Sequence, residues 1–308
     1  MNSTNEQLPQ FLVIGAGKSG TTSLDQYFSQ HPQVFMARKE PCYFSLKNIE
    51  LINDPNDKEM IHHYPNGVNK FEDYLHLFNN AKEGQIKGEV SPIYLNSDIA
   101  PVEIKKTLPN AKLIAILRHP AERLYSRYLH LANEFRAPNI DDLFDLASKW
   151  HWRNDLVKEG YYGKNLQRFY DIFEDNQIKV ILFEDFRSSP QEVMSSLYSF
   201  INVDLNFTPD MTIEYNQSGF VKNRKIDWLL GRKGIINRSL KKVNSKFYAK
   251  LKSNATVYKG LLKIRNKNIE RPKLSLDLKR KITHEFYIDD IKKLEQLLGR
   301  DLTTWYKF

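Results

Sequence analysis

The sequence predicts an α/β fold, a three-layer α/β/α arrangement around a central parallel sheet. Two observations lead there. Short apolar runs alternate with stretches of helical spacing, and strands alternating with helices imply a parallel sheet covered on both faces. The first of these runs ends in a glycine-rich loop that opens directly into a helix. A chain of 308 residues, 41% hydrophobic and 27% charged, buries a large core without a disulfide or metal staple. The reading is one domain over 1–308, in which 216–308 forms a basic, mainly helical C-terminal part.

The elements follow in order. Gln10–Ile14 is a β-rich apolar run entering a Gly/Ser/Thr cluster, and from Thr21 the spacing turns helical, with Leu24, Tyr27 and Phe28 on one face and Pro32 as the stop. The segment Asn48–Asn69, rich in Asn, Asp and His, reads as a long loop. Ile86–Val90 and Lys112–Leu117 read as strands. Pro120 then opens a helix bearing Leu124, Tyr128 and Leu131. Gly163–Phe173 reads as helix, Lys179–Phe183 as strand, and Pro190 opens a helix through Phe200. Gly299 ends a long last helix whose apolar side is Leu278, Ile282, Phe286, Ile291, Leu294 and Leu298.

Composition narrows the function classes. Cys42 is the one cysteine, so no intramolecular disulfide forms, which fits a reducing compartment. The longest apolar runs, such as Leu113–Leu117, fall far short of the roughly 20 residues that span a bilayer. Met1–Gln10 is polar and lacks the basic start and apolar core of a secretion signal, so the expected location is cytoplasmic. Eight His and one Cys show no metal-ligand spacing, and no metal is expected. The net charge of +9 is uneven: residues 1–215 carry −7 and residues 216–308 carry +16. Lys222–Lys267 holds 15 Lys/Arg against one acid, Asp227, a local field for an anionic partner or, more plainly, a solvated helix face.

The most informative segment is Gly15-Ala16-Gly17-Lys18-Ser19-Gly20-Thr21-Thr22-Ser23, between the first strand and the first helix. Such a loop aims consecutive backbone N–H groups and a helix N-terminus at one point, where phosphate or sulfate is the natural occupant. It is not a Walker A loop, because Thr21 follows the second Gly where Lys is required and Lys18 precedes Gly20 by two residues. Downstream, Ile116-Leu117-Arg118-His119-Pro120 is followed by Arg123 and Ser126, with the Ser eight residues past a strand-end Arg. A strand-end Arg can fork onto a phosphate that a hydroxyl from the next helix also reaches.

These two motifs together resemble the sulfotransferases that use 3′-phosphoadenosine 5′-phosphosulfate (PAPS), in particular bacterial and carbohydrate-type members. Lys18, Ser19, Gly20, Thr21, Thr22 and Ser23, followed by His31-Pro32, look like that family's 5′-phosphosulfate loop, and Arg118 with Ser126 like its 3′-phosphate site. Arg38-Lys39-Glu40-Pro41 with Phe44 is similar to the Lys-Glu-Pro element in which the Glu acts on the acceptor. Gly88-Glu89-Val90-Ser91-Pro92-Ile93-Tyr94 resembles an acceptor-side strand end, although many relatives carry Lys where this chain has Val90. The resemblance places Glu159-Gly160-Tyr161-Tyr162 at the adenine and Gly219–Arg224, with Lys222, Asn223 and Arg224, at a loop closing over the 3′-phosphate. It implies a P-loop-like fold, PAPS as donor, 3′,5′-ADP as product, a saccharide or small-molecule acceptor, no nucleic acid and no required metal; the oligomeric state stays open.

The chemistry stands beside the resemblance. Sulfuryl transfer moves SO₃ in line from a phosphate oxygen to a nucleophile, so the protein must position two groups and stabilise charge on the leaving phosphate. Lys18 and the Gly20–Thr22 amides suit that charge, and Glu40 is the first candidate base for the acceptor proton. The plainer reading of Glu40 is an exposed partner for Arg38 or Lys39. Glu89, His62, His63 and His119 are reserve candidates, and Cys42 reads as a small buried apolar side chain.

Two rivals remain at this point. A P-loop kinase would take Glu184-Asp185, after Lys179–Phe183, as its metal-binding acid, and would need Mg²⁺ to bridge phosphates. A non-catalytic binder of anionic polymer or membrane would use Ile236, Leu240, Val243, Phe247 and Leu251 as an apolar face beside Lys241, Lys242, Lys246, Lys250 and Lys252.

Overall fold

The computed structural model describes residues 7–38, 40–47, 66–135, 139–145, 153–212, 220–222, 267–270 and 272–308. Its centre is a five-stranded parallel sheet: β1 (Phe11–Gly15), β2 (Val34–Met36), β3 (Ile86–Val90), β4 (Lys112–Leu117) and β5 (Ile178–Leu182), in the order β2-β3-β1-β4-β5. Every residue of β1 is buried, as a central strand covered on both faces requires. Helices α1 (Thr21–Gln30), α2 (Tyr43–Leu46), α3 (Phe71–His76), α4 (Ala100–Thr107) and α5 (Pro120–Phe135) alternate with the first four strands. Beyond them come α6 (Arg153–Lys158), α7 (Tyr162–Tyr170), α8 (Phe183–Ser188), α9 (Pro190–Phe200), α10 (Leu276–Ile282) and α11 (Ile288–Leu298). The architecture is the expected three-layer α/β/α.

Register explains one small residue. Phe11 stands opposite Gly88 on one side and Lys112 on the other. A Cβ at Gly88 would meet the Phe11 ring at 2.2 Å, so glycine there lets that ring lie across the neighbouring strand to reach Phe28 at 4.9 Å. The chain leaves β1 toward β2 on one side and leaves β4 toward β5 on the other. The carboxyl ends of β1 and β4 therefore flank the topological switch point, the position where open α/β sheets bind ligands.

The chain divides into two compact units. One contains Met1–Leu124, Asn154–Thr212 and Leu276–Phe308 and holds the parallel sheet; the other contains Tyr125–Arg153 and Ile213–Ser275. In the second unit β6 (Phe220–Val221) pairs antiparallel with β7 (Ile269–Glu270). Among the described residues no helix is long and apolar enough to cross a membrane.

The last helix differs from the sequence expectation. Its segments follow one another without a gap, but Thr283–Tyr287 forms a π turn between α10 and α11. The wider turn carries the buried side from Ile282 to Tyr287, five residues on, instead of to Phe286, which is half-buried. Leu278 and Leu298 are also only half-buried, so the buried seam is Ile282, Tyr287, Ile291 and Leu294. Gly299 ends α11 in the left-handed conformation, φ 58°, as its position predicted. The short β2 was missed because three residues carry too little alternation to show a period.

Candidate active site

The loop after β1 is shaped by backbone conformation. Lys18 and Gly20 both take positive φ, 67° and 101°, and Gly20 caps α1, whose first turn begins at Thr21. Alternating handedness of this kind turns successive N–H groups toward one point, and the helix start adds its own amides. A side chain at Gly20 would be strained and would press on the Phe183 ring at 3.2 Å; one at Gly15 would strike Leu95 at 2.6 Å. The Ala16 N–H donates to the Ile116 carbonyl at 2.7 Å and ties the loop to β4.

Arg118 stands where β4 ends. Its guanidinium lies over the Phe183 ring at 5.1 Å, and that ring is also what Gly20 packs against, so the loop and the arginine share a wall. Arg118 Nε and Nη2 donate to Glu122 Oε2 at 3.2 and 3.0 Å. Tyr162, the start of α7, buries its hydroxyl beside Ser19 and the Arg118 backbone. Neither the Ser19 nor the Tyr162 hydroxyl completes a hydrogen bond there, and burial pushes the Tyr162 phenol up to about 12. Two buried hydroxyls next to a loop of turned amides are a polar lining that fits an anion.

The glycines near Tyr162 serve packing. A Cβ at Gly160 would meet the Tyr287 ring at 2.7 Å, and one at Gly163 would meet the Asp290 carbonyl at 2.7 Å. Asp290 caps α7 by accepting from the Gly163 and Lys164 N–H groups at 2.8 and 2.9 Å. Arg123, fully buried, donates to Glu159 Oε2 at 2.5 Å and to the Leu156 carbonyl, which locks α5 to the turn before α7.

The third group comes from the carboxyl end of β3. Glu40 has φ 60° and its N–H donates to the Val90 carbonyl at 2.8 Å, which places it at the same end of the sheet as the loop. Cys42 also takes positive φ, 56°, and its N–H donates to Ser91 Oγ at 3.0 Å. Ser91 in turn donates to Glu89 Oε2 at 3.1 Å, while Tyr74 and Tyr94 donate to Oε1 at 3.0 and 2.9 Å. Glu89 is fully buried; burial raises its carboxyl and the three hydroxyl bonds pull it partly back, to about 7. Cys42 is a buried free thiol, pushed up by burial and by the nearby Glu40 and Glu89 charges.

Other expected residues have plain roles or lie elsewhere. His31 is buried, donating from Nε2 to the Asp204 carbonyl at 2.9 Å and accepting the Gln33 N–H at Nδ1. His119 is buried between Trp305 and Phe308, and burial with the Lys279 charge holds it neutral, down to about 3. Arg38 donates to the Asn66 carbonyl at 2.8 Å. Glu184 accepts the His119 N–H at 3.2 Å and Asp185 pairs with Arg300 at 2.7 Å, so both acids of the kinase reading are engaged. Ser126 is buried, within the second unit, and Lys222 is exposed there with its N–H on the Asn268 carbonyl at 2.8 Å. Lys39, His62, His63, Asn223, Arg224 and the basic run from Arg232 to Asn266 lie outside the described residues. Among the described residues no three His, Cys, Asp or Glu side chains gather as a metal site.

A parallel sheet with an amide-turned loop after its first strand and an arginine at the adjoining strand end defines a P-loop-like class of α/β protein. The sulfotransferase family profile matches residues 9–208, and the chain belongs to that family. Human bifunctional heparan sulfate N-deacetylase/N-sulfotransferase 2 is 26% identical over 283 residues, 88% of this chain and 30% of that protein. The mouse form 1 of the same enzyme is 26% identical over 282 residues, again 88% of this chain and 30% of the relative. The chain thus spans about a third of the length of these curated relatives. A solved sulfotransferase from Alicyclobacillus acidocaldarius superposes with a TM-score of 0.68 and 25% identity, covering 97% of this chain and 98% of that one. The sulfotransferase domain of the Synechococcus PCC 7002 olefin synthase shares the fold, with a TM-score of 0.51 and 14% identity over 96% of both chains.

Proposed function

We propose that the chain transfers the sulfuryl group of PAPS to an amine or hydroxyl of a saccharide acceptor. The observation that carries this reading is the convergence, at the carboxyl ends of β1, β3 and β4, of an anion-shaped loop, an arginine and a half-buried glutamate. Lys18 and the Gly20–Thr22 amides hold the 5′-phosphosulfate, and Arg118 recognises the 3′-phosphate. In the reaction the sulfur–oxygen bond to the 5′-phosphate breaks as a bond forms from sulfur to the acceptor oxygen or nitrogen. The acceptor proton passes to the Glu40 carboxylate, and the charge left on the 5′-phosphate of 3′,5′-ADP is met by Lys18 and the loop amides. Glu89 is not the base in this scheme, because it is sealed among three hydroxyls.

The N-sulfotransferase relatives favour an amine on a heparan-sulfate-type saccharide. The test has two parts. 3′,5′-ADP should raise the melting temperature well above the shift given by 5′-AMP, and Arg118→Ala should shrink that difference; equal shifts from both nucleotides in the wild type would remove the 3′-phosphate assignment. Labelled PAPS should then label a free-amine heparan-type saccharide more than its N-acetylated form; label found only on small phenols or alcohols would move the acceptor class. Transfer is expected to persist in excess EDTA, and strict Mg²⁺ dependence would return the kinase reading.

A further inference from the structure

Arg118 already holds an anion of the protein's own. Both its Nε and Nη2 donate to one oxygen of Glu122, and the other oxygen, Oε1, accepts from Lys279 Nζ at 2.8 Å. One carboxylate therefore bridges two cations, Arg118 at the end of β4 and Lys279 in α10. Burial lifts the Glu122 carboxyl, but the hydrogen bond and charge of Lys279 together with Arg118 outweigh it and hold the group down to about 2.

The two cations are seated independently of this acid. The Phe183 ring underlies Arg118 at 5.1 Å and the Phe308 ring lies 5.9 Å from Lys279 Nζ. His119, between them in sequence, is neutral and adds no positive charge. A carboxylate spanning two cations offers the shape and charge that one face of a phosphate monoester offers. While Glu122 sits there, it cancels one of the two positive charges.

Resting on the reading that Arg118 recognises the 3′-phosphate, we propose that Glu122 is a built-in counter-anion for that phosphate. It occupies the Arg118–Lys279 pair in the unloaded protein and yields it when the nucleotide arrives. Lys279 then becomes a second cation for the 3′-phosphate, and Glu122, returning, speeds the departure of 3′,5′-ADP. The alternative role, an acid that merely orients Arg118, predicts the opposite sign for its removal.

The experiment measures dissociation constants of 3′,5′-ADP and 5′-AMP for the wild type, Glu122→Gln and Lys279→Gln by titration calorimetry. Glu122→Gln should bind 3′,5′-ADP about tenfold more tightly and Lys279→Gln about tenfold more weakly, as expected for adding or removing one unit of net charge near the phosphate. Binding of 5′-AMP, which lacks the 3′-phosphate, should change less than twofold in either. Release of 3′,5′-ADP, followed in stopped flow, should slow in Glu122→Gln. Weaker or unchanged 3′,5′-ADP binding in Glu122→Gln, with the wild type still preferring 3′,5′-ADP over 5′-AMP, overturns the counter-anion. A wild type that binds both nucleotides equally overturns the Arg118 reading instead, so the two failures are separable. Should Glu122→Gln not fold, Glu122→Asp, whose shorter arm cannot span both cations, should shift 3′,5′-ADP in the same tightening direction, and a weakening there counts against the proposal.

Discussion

Glu40 and Glu89 lie close in the fold and their surroundings separate their roles. Glu40 is half-buried on a turn of positive φ, and Glu40→Gln should lower turnover about 10²–10⁴-fold while leaving 3′,5′-ADP affinity unchanged, checked by initial rates and calorimetry. Glu89 titrates near 7 in the folded chain against about 4.5 when unfolded. Its folded form binds the proton more tightly, so its stabilising contribution is complete below pH 4.5 and is lost as pH rises through 7. Urea unfolding at pH 5 and pH 8 should show the wild type losing stability by about 2–3 kcal/mol more than Glu89→Gln does. At this scale the gathering of Lys18, Gly20, Arg118 and Glu40 at one end of the sheet was legible because each sits in a short motif of the sequence. Lys279 was not, because its partner Glu122 lies 157 positions away and a sequence shows a charge without its counterpart. The Arg118–Glu122 pair did leave a signal, the four-residue interval of a helical ion pair.

Elements were legible where the period was long enough to count. β3 and β4 match their expected bounds, β4 because Leu113–Leu117 is an uninterrupted apolar run, and α9 matches because Pro190 marks its start. The π turn was not legible, since a change from four to five residues in one turn of a helix looks, in sequence, like an ordinary apolar stripe. Nor was the purpose of Gly160 and Gly163, which answer to Tyr287 and Asp290 far along the chain. Gly160→Ala should therefore destabilise by about 1–3 kcal/mol through overpacking against Tyr287, read as a lowered melting temperature with nucleotide discrimination retained. Arg123→Ala should cost more, about 3–5 kcal/mol, because Glu159 loses the buried cation that it pairs with.

At the scale of the whole molecule the charge is partitioned, with +16 carried by residues 216–308 and −7 by the rest. A net charge of that size attracts anions in general, and screening over about 8 Å at physiological salt weakens the attraction steeply as salt rises. Replacing Lys241, Lys242 and Lys246 together by Gln should raise the apparent KM and flatten its dependence on salt while turnover at saturation holds; an unchanged KM and salt slope would leave these lysines as a solvated face. The π turn links the two ends of this scheme. It stands between Lys279, which touches Glu122, and the stretch from Tyr287 to Asp290, which packs on the turn before α7 and caps that helix. A helix advances about 100° per residue, so the turn acts as a phase adjuster between two contacts that a regular helix could not satisfy at once. Inserting one alanine between Lys281 and Ile282 would rotate Lys279 by about 100° away from Glu122 while the π turn and α11 kept their seats. A single-residue insertion far from the phosphate loop in sequence would thereby be read out as a change in which nucleotide the protein prefers.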